Sequence, residues 1–417
     1  MANRKMVLTG TYSSFNKGDA AMQISTAQSI KKLWPNCDIT VSTPFPEYDE
    51  DTYSGYKLIK STRRNLVLGT MQVIRAKTHR LLKKFFGVNA DWLLGNEELQ
   101  AFSEADVIID LSGDTLTEDY GPHVTYSHFL PILLGLALNK PVFVCAQSIG
   151  PFKLTKGFAK YILKQVDAVT AREEITYNYL KDLGIKNVKL VSDMAFLLDP
   201  IEADEARKIL EKENIKLSDR PTLGVTVSNL VEKRYNSSNE TDTTSFTTDM
   251  AGFLDKAIDE LEINVLFLGH VTGPSNDKDD RLVAGQVMSH MKHAEKHASL
   301  LSGNYRPDEL KGVIGLCDIF LGSRMHSNIG ALSSNVPTAA IGYSHKTQGI
   351  MNSFGLGGFV YDIDSLQFDS LADGLQDLLE KNSEIIKKLD NSISEIKKSS
   401  MINVDIIDKL ANNIHKD

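Results

Sequence analysis

Basic side chains recur where apolar runs end and helices or turns begin. The stretch Gly322-Ser323-Arg324-Met325-His326-Ser327 follows the apolar Ile319 to Leu321 and precedes a helix-like segment, Asn328 to Ser333. That order sets a guanidinium and an imidazole at a helix N-terminus, where the dipole favours neutral imidazole unless a bound anion lies beside it. Further on, after the apolar Thr338 to Ile341, Ser344-His345-Lys346 adds an ammonium to the same sheet edge. In the first half of the chain Arg172 ends the run Ala168 to Ala171. Its planar fork suits a phosphate or carboxylate, or an ion pair with Glu173 or Glu174. Cations gathered around one titratable ring are equipment for holding an anion and moving a proton.

Other segments read as ligand-contacting loops. A glycine-bearing turn from Gly10 to Asp19, containing Asn16 and Gly18, opens onto a helix of about Asp19 to Leu33. Backbone N–H groups at such a start receive anions, and Asp19 either holds a substrate hydroxyl or caps the helix. The turn lacks the GxGxxG spacing of dinucleotide folds. Asp110 to Asp114, with Gly113, and Gln147 to Pro151, with Ser148 and Gly150, follow two more apolar runs. Glycine permits close backbone approach there and Ser148 adds a hydroxyl, while Gly-Pro is also ordinary turn chemistry. The candidate binding residues are therefore Asn16, Gly18, Asp19, Gly113, Ser148, Gly150, Ser323 and Arg324, beside the candidate catalytic set His326, Arg172 and Lys346.

The elements that must position these residues alternate. Short apolar strands begin at Met6, Asp38, Val107, Pro141, Ala168 and Val188, separated by helical or turn-rich segments, which predicts a doubly wound parallel sheet. A polar stretch from Ile201 to Pro221 intervenes. The pattern then restarts with strands at Leu223, Asn264, Ile319 and Thr338 and a helix-prone tail from Ser365. The expected architecture is α/β: two Rossmann-like domains, 1–200 and 201–417, facing across a cleft, the second carrying a helical tail. Open α/β sheets bind ligands beyond the carboxyl ends of their strands, where all the candidate loops fall.

The 417 residues exceed one ordinary core, and 42% hydrophobic with 24% charged residues is the balance of a globular protein. A net charge of −8 argues against a nucleic-acid coat. Three widely separated cysteines, Cys37, Cys145 and Cys317, suggest neither a disulfide framework nor a zinc site, and no metal-ligand spacing occurs. The N-terminus lacks signal-peptide character and no apolar run reaches the ~18 residues of a membrane span, so a cytoplasmic location is expected. One segment departs from the acidic background. Lys60 to Ala90 contains no Asp or Glu, and Arg63, Arg64, Arg75, Lys77, Arg80, Lys83 and Lys84 interleave with Met71, Ile74, Leu81, Leu82, Phe85 and Phe86. It suits a basic amphipathic helix, either covering the sheet with a solvated basic face or resting peripherally on the anionic inner face of a membrane.

The ordered series Gly10…Asn16-Lys17-Gly18-Asp19, Ser148 to Phe152, Ala171-Arg172-Glu173, Val191 to Phe196, Gly322 to Ser327 and Tyr343 to Lys346 resembles the polysaccharide pyruvyl transferases. The likeness covers nearly the whole chain and lies nearest the exopolysaccharide, colanic-acid-type branch. Many relatives carry a run of glycines where this chain has Leu111-Ser112-Gly113-Asp114, which bears on acceptor recognition. The resemblance implies a GT-B-like fold and transfer of pyruvate from phosphoenolpyruvate to a sugar as a ketal, with no further cofactor. It assigns catalysis to the positions matching Arg172, His326 and Lys346; the chemistry of such a donor then suggests His326 as proton donor and Arg172 and Lys346 as clamps on its phosphate and carboxylate. The acceptor would be a sugar, lipid-linked or nucleotide-linked, and Val271 to Arg281 suits acceptor contact or a polar surface loop. The rival readings are a GT-B nucleotide-sugar glycosyltransferase and a non-catalytic phospho-sugar binding protein.

Overall fold

The computed structural model describes residues 3–238, 245–342 and 345–413, so Tyr343 and Ser344 of the last motif lie outside the described residues. The chain forms two compact units. One comprises the chain up to Ser14, Asp19–Leu197 and the chain from Lys397 onward; the other comprises Phe15–Gly18 and Leu198–Ile396. Compared with a single boundary at residue 200, two segments change sides. Phe15 and Lys17 pair through their backbones with Thr272 and His270, at 2.9 and 3.0 Å, which ties this short segment to the second unit. The end of the long helix Asn382–Asn413 joins the first unit, where the Ser400 hydroxyl donates to the Asp193 carbonyl at 2.8 Å.

The first unit holds β1 (Lys5–Thr9), β2 (Asp38–Thr43), β3 (Lys57–Lys60), β4 (Val107–Asp110), β5 (Val142–Gln147), β6 (Ala168–Ala171) and β7 (Val188–Leu190), in spatial order 3-2-1-4-5-6-7. The second holds β8 (Thr222–Thr226), β9 (Asn264–Leu268), β10 (Ala298–Leu301), β11 (Ile319–Gly322), β12 (Thr338–Gly342) and β13 (Val360–Asp362), in order 10-9-8-11-12-13. Every pairing is parallel. Helices cover both faces of such sheets, so central strands read as continuous apolar runs; β4, β5, β8, β11 and β12 are buried along their whole length.

The sequence pattern misses β3, β10 and β13. All three are edge strands, short and with polar positions, and an edge needs no long apolar run. The chain order reverses between β1 and β4 and between β8 and β11, and these are the switch points at which doubly wound sheets present ligands. The loops after β1, β4, β8 and β11 border them.

The basic segment is a helix over Leu66–Phe86, bounded by an Asn65 side chain that accepts from the Leu68 amide and by Gly87 at φ 65°. Arg63 falls outside it: the side chain is buried, donating from Nη1 to the Gly10 carbonyl at 2.5 Å and from Nη2 to that of Thr11 at 2.6 Å. Arg63 is thus a brace for the turn after β1 and no part of a solvated basic face.

Candidate functional site

In the second unit the helix after β11 spans Met325–Leu332, three residues earlier than its pattern suggests, with Arg324 at the N-cap and His326 in the first turn. The turn is stitched to the end of β8. The Ser323 amide donates to the Thr226 carbonyl at 3.1 Å, Thr226 and Ser327 share a hydroxyl bond of 2.9 Å, and the Ser327 hydroxyl donates to the Arg324 carbonyl at 2.7 Å. Arg324 grips Asp280 with two nitrogens, Nε to Oδ2 at 3.2 Å and Nη2 to Oδ1 at 2.6 Å. Asp280 opens the helix Asp280–His290, and its Oδ2 also accepts from the amides of Val271 and His270. Burial raises the Asp280 pKa and Arg324 opposes the rise. The segment 271–281 is therefore more than a surface loop, because it supplies the carboxylate that fixes Arg324.

Two residues that sequence reasoning did not select join this constellation. Lys17 is buried, its ammonium donating to Asn304 Oδ1 at 2.6 Å and its amide to the His270 carbonyl at 3.0 Å. His270, two residues past β9, is buried with its Nε2 lacking a hydrogen-bond partner among the described residues. Burial, then the neighbouring His326, Arg324 and Lys17, hold its pKa well below the ordinary histidine value, so it is neutral at pH 7. The imidazole of His326 packs on Gly18, and its Nε2 is buried. Buried Lys17 and His270 with half-buried Arg324 and His326, Arg324 being paired with Asp280, make a polar cluster holding an ammonium and a guanidinium, which suits an anion. The signal for Lys17 was its place between Asn16 and Gly18, and for His270 its place past a strand end.

Asn16 Oδ1 accepts from the Gly18 amide at 3.0 Å, so Asn16 caps the helix Lys17–Leu33. Asp19, a candidate cap, instead reaches back to accept from the Tyr12 amide at 2.7 Å. The cap falls to Asn16 because the helix starts at Lys17, two residues before the expected Asp19. Lys346 lies in the first turn of the helix His345–Ser353, which follows β12, the strand beside β11. Ser323 keeps its hydroxyl oxygen buried without a hydrogen-bond partner among the described residues.

In the first unit Arg172 follows β6 with its side chain only 2% exposed. Its Nη1 pairs with Asp193 Oδ2 at 2.7 Å and its Nε donates to Ser148 Oγ at 2.9 Å. The partner is Asp193 and neither of its neighbours in sequence; Glu173 instead caps the helix Glu174–Asp182 through the Thr176 amide. The Ser148 amide donates to the Gly113 carbonyl at 2.8 Å, and Gly113, at φ +69°, holds a conformation that suits glycine. These contacts link the ends of β4, β5 and β6 with the segment after β7. Gly150 has a different setting: at φ +80°, it packs on the Tyr179 ring, whose hydroxyl accepts from the Phe152 amide at 2.9 Å. A register shift in β5 accompanies a left-handed Ala146, φ +47°, whose amide donates to Thr170 Oγ1 at 2.7 Å. Such backbone strain, of order 1–3 kcal/mol, takes Cys145 and Ala146 out of register before Gln147 rejoins the ladder opposite Ala171.

Beside these residues lies a buried polar group centred on Asp110, whose Oδ1 accepts from Gln147 Nε2 at 2.5 Å and from the Ser112 amide at 3.2 Å. Burial raises its pKa despite those bonds. Arg63, pulled down to about 10 by burial, stays charged at neutral pH and approaches His128 Nδ1 at 2.9 Å. Burial and Arg63 hold His128 neutral. Among the described residues no three His, Cys, Asp or Glu side chains gather as a metal-binding set.

Comparison with known proteins bears on these loops directly. The amylovoran biosynthesis protein AmsJ of Erwinia amylovora is 25% identical over 412 residues, spanning 94% of this chain and 96% of that protein. Among solved structures, a putative UDP-N-acetylglucosamine 2-epimerase from Listeria monocytogenes matches with a TM-score of 0.62 at 11% identity, over 100% of this chain and 98% of that one. A glycosyltransferase from Rickettsia africae ESF-5 matches with a TM-score of 0.57 at 12% identity, over 99% and 100%. At such identities the likeness is one of fold, GT-B-like. A family model, polysaccharide pyruvyl transferase, matches residues 16–345, from the Asn16 cap to the start of the helix bearing Lys346. Since that match takes in most of the chain and both groups of site loops, the chain belongs to the polysaccharide pyruvyl transferase family.

Proposed function

We propose that this protein transfers pyruvate from phosphoenolpyruvate to a sugar of an exopolysaccharide precursor, closing a cyclic ketal. The observation that carries the reading is the cluster of buried Lys17 and His270 with half-buried Arg324 and His326 in a member of this family. Phosphoenolpyruvate bears a phosphate and a carboxylate, and charge-assisted bonds in a desolvated setting are the strongest means of holding both. The name of AmsJ, an amylovoran biosynthesis protein, supports a polysaccharide precursor as acceptor.

The chemistry balances as follows. His326 delivers a proton to the methylene carbon, and a sugar hydroxyl forms a C–O bond to C2 while releasing its own proton. A second hydroxyl of the same sugar then forms the other C–O bond to C2 as the C2–O–phosphate bond breaks. Of the two hydroxyl protons, one replaces that spent on the methyl group and the other leaves with phosphate. Lys346 and Arg172 act as anion clamps, the planar guanidinium of Arg172 being held in place by Ser148 and Asp193. Asn16 and Asp19 shape the turn that carries Lys17 and Gly18.

The test is phosphate release from phosphoenolpyruvate with lipid-linked and nucleotide-linked sugars, followed by the acceptor's mass. The wild type is expected to add pyruvyl to one acceptor class, and His326→Ala to lose the reaction while staying folded. A folded wild type that ignores phosphoenolpyruvate and transfers from a nucleotide sugar would overturn the reading.

A further inference from the structure

The helix Leu66–Phe86 is attached to its unit by the less apolar of its faces. Gly69, Gln72, Ala76 and His79 are buried, and Gly69 lets Leu130 approach so closely that a Cβ there would lie 2.6 Å from Leu130 Cδ1. Thr70 Oγ1 shares a 3.0 Å hydrogen bond with Tyr126 Oη, and Arg80 donates to the Leu136 carbonyl at 3.2 Å. The opposite stripe carries Val67, Met71, Ile74, Leu81 and Phe85, at alternating steps of four and three residues with Thr78 completing the series, and it faces solvent. Val67 is 72% exposed, Ile74 59%, Phe85 67% and Phe86 73%. Helices of globular proteins turn their apolar stripe inward, and a stripe held outward by specific contacts on the other side marks an interaction surface.

Charge decides what it meets. Arg64, Lys77, Lys83 and Lys84 are exposed along this helix and its N-terminal approach, and no acidic residue occurs from Ser61 to Ala90. A second copy of the chain would bring the same cations against these, a repulsive juxtaposition. An anionic bilayer presents the opposite sign and accepts apolar side chains at the level of its headgroups, while lysine stems carry their ammonium groups to the phosphates. Trp92, 74% exposed just beyond the helix, is of the type that settles at such a boundary. The helix has 21 residues, and no helix among the described residues is long and apolar enough to cross a membrane, which leaves an in-plane orientation.

We propose that the helix Leu66–Phe86 docks this protein on a membrane surface rich in anionic lipid, with its apolar stripe at the headgroup boundary and its lysines on the lipid phosphates. This docking is independent of which reaction the protein catalyses.

The full chain is tested by flotation with vesicles of phosphatidylcholine alone and of an equimolar mixture with phosphatidylglycerol. The wild type is expected to float with the mixed vesicles, to stay behind with the neutral ones, and to be released by high salt. Lys77→Gln/Lys83→Gln/Lys84→Gln is expected to weaken partitioning on the order of 100-fold, from the usual contribution of a basic side chain near an anionic surface. Ile74→Gln/Phe85→Ser/Phe86→Ser, all solvent-facing and compatible with folding, is expected to lose binding to the same vesicles. A wild type that ignores the mixed vesicles overturns the proposal, as does binding that both variants leave intact. A concentration-dependent oligomer that the apolar variant dissolves, without vesicle binding, would assign the face to self-association instead.

Discussion

His326 rests on Gly18 with no room for a side chain between them: a Cβ at residue 18 would overlap the imidazole Nδ1 and Cγ and lie 2.8 Å from the His326 Cβ. Gly18 lies in a regular helical turn without positive φ, so the demand for glycine comes from the imidazole and not from the backbone. Gly18→Ala therefore has to displace His326. The expected result is a loss of roughly 100-fold in kcat, the scale of a misplaced catalytic group, with about 1–3 kcal/mol of stability lost to overpacking. In steady-state assays Gly18→Ala/His326→Ala should be no slower than His326→Ala alone, since both changes act through one side chain. A Gly18→Ala enzyme of wild-type rate would refute the placement.

Arg172 and Asp193 form an ion pair whose side chains are 2% and 1% exposed. Removing the carboxylate leaves a buried cation uncompensated, so Asp193→Asn is expected to lower stability by about 3–5 kcal/mol. Arg172→Lys keeps the charge but cannot reproduce the fork that serves Ser148 and Asp193 together. With phosphoenolpyruvate as donor, its KM should rise at least ~10-fold while urea denaturation shows a smaller loss than Asp193→Asn. Equal KM values in wild type and Arg172→Lys would remove Arg172 from donor binding.

The buried histidines give stability a pH slope. His128 and His270 both have folded pKa values well below 6.5, set first by burial and then by neighbouring positive charge. Below about pH 6.5 the unfolded chain takes up protons that the folded chain refuses. Their stabilising contribution is therefore present above that pH and is lost as pH falls towards the folded pKa values, by about 1.4 kcal/mol per pH unit for each histidine. The raised carboxyls of Asp110 and Asp280 have the opposite slope, since the folded form binds their protons first. Urea denaturation at a series of pH values should show His270→Asn flattening the acid slope by one histidine's share. An unchanged slope would mean that His270 is protonated in the folded protein.

The long C-terminal helix supports Arg172 indirectly. Asn403 Oδ1 accepts from the Thr170 hydroxyl at 2.7 Å, its Nδ2 donates to the Ser192 carbonyl, and Ser400 holds the Asp193 carbonyl. Ser400→Ala/Asn403→Ala leaves buried polar partners unmatched, each costing about 1–3 kcal/mol. Activity is expected to fall about 10-fold by loosening Asp193, with little further loss in an Asp193→Asn background. Full additivity in that cycle would show that the helix acts elsewhere.

Much of this fold is legible locally. The apolar runs of β4, β5, β8, β11 and β12 announce buried parallel strands, because strands covered on both faces are apolar at most positions, with polar residues gathered at their ends. The turn residues at Gly113, Ser148 and Gly322-Ser323 mark strand ends for an equally local reason, namely that tight turns and close backbone approach restrict residue type. The edge strands β3, β10 and β13 carry no such mark, having only one neighbour to satisfy.

What the sequence by itself determined, then, is the pair of parallel α/β sheets, the loops at their carboxyl ends and the basic, apolar-studded helix after β3. Only the tertiary structure decided which carboxylate meets which cation. Arg172 takes Asp193 over the adjacent Glu173, Arg324 takes Asp280, and Lys17 is drawn inside beside His270. Composition likewise announced a basic amphipathic helix between Lys60 and Ala90 without saying that the helix Pro122–Ala137 takes its less apolar side. The physical reason is common to all of these: strand and turn preferences act over a few residues, whereas the partner of a buried charge and the packed face of a helix depend on groups that only the folded chain brings within a few ångströms.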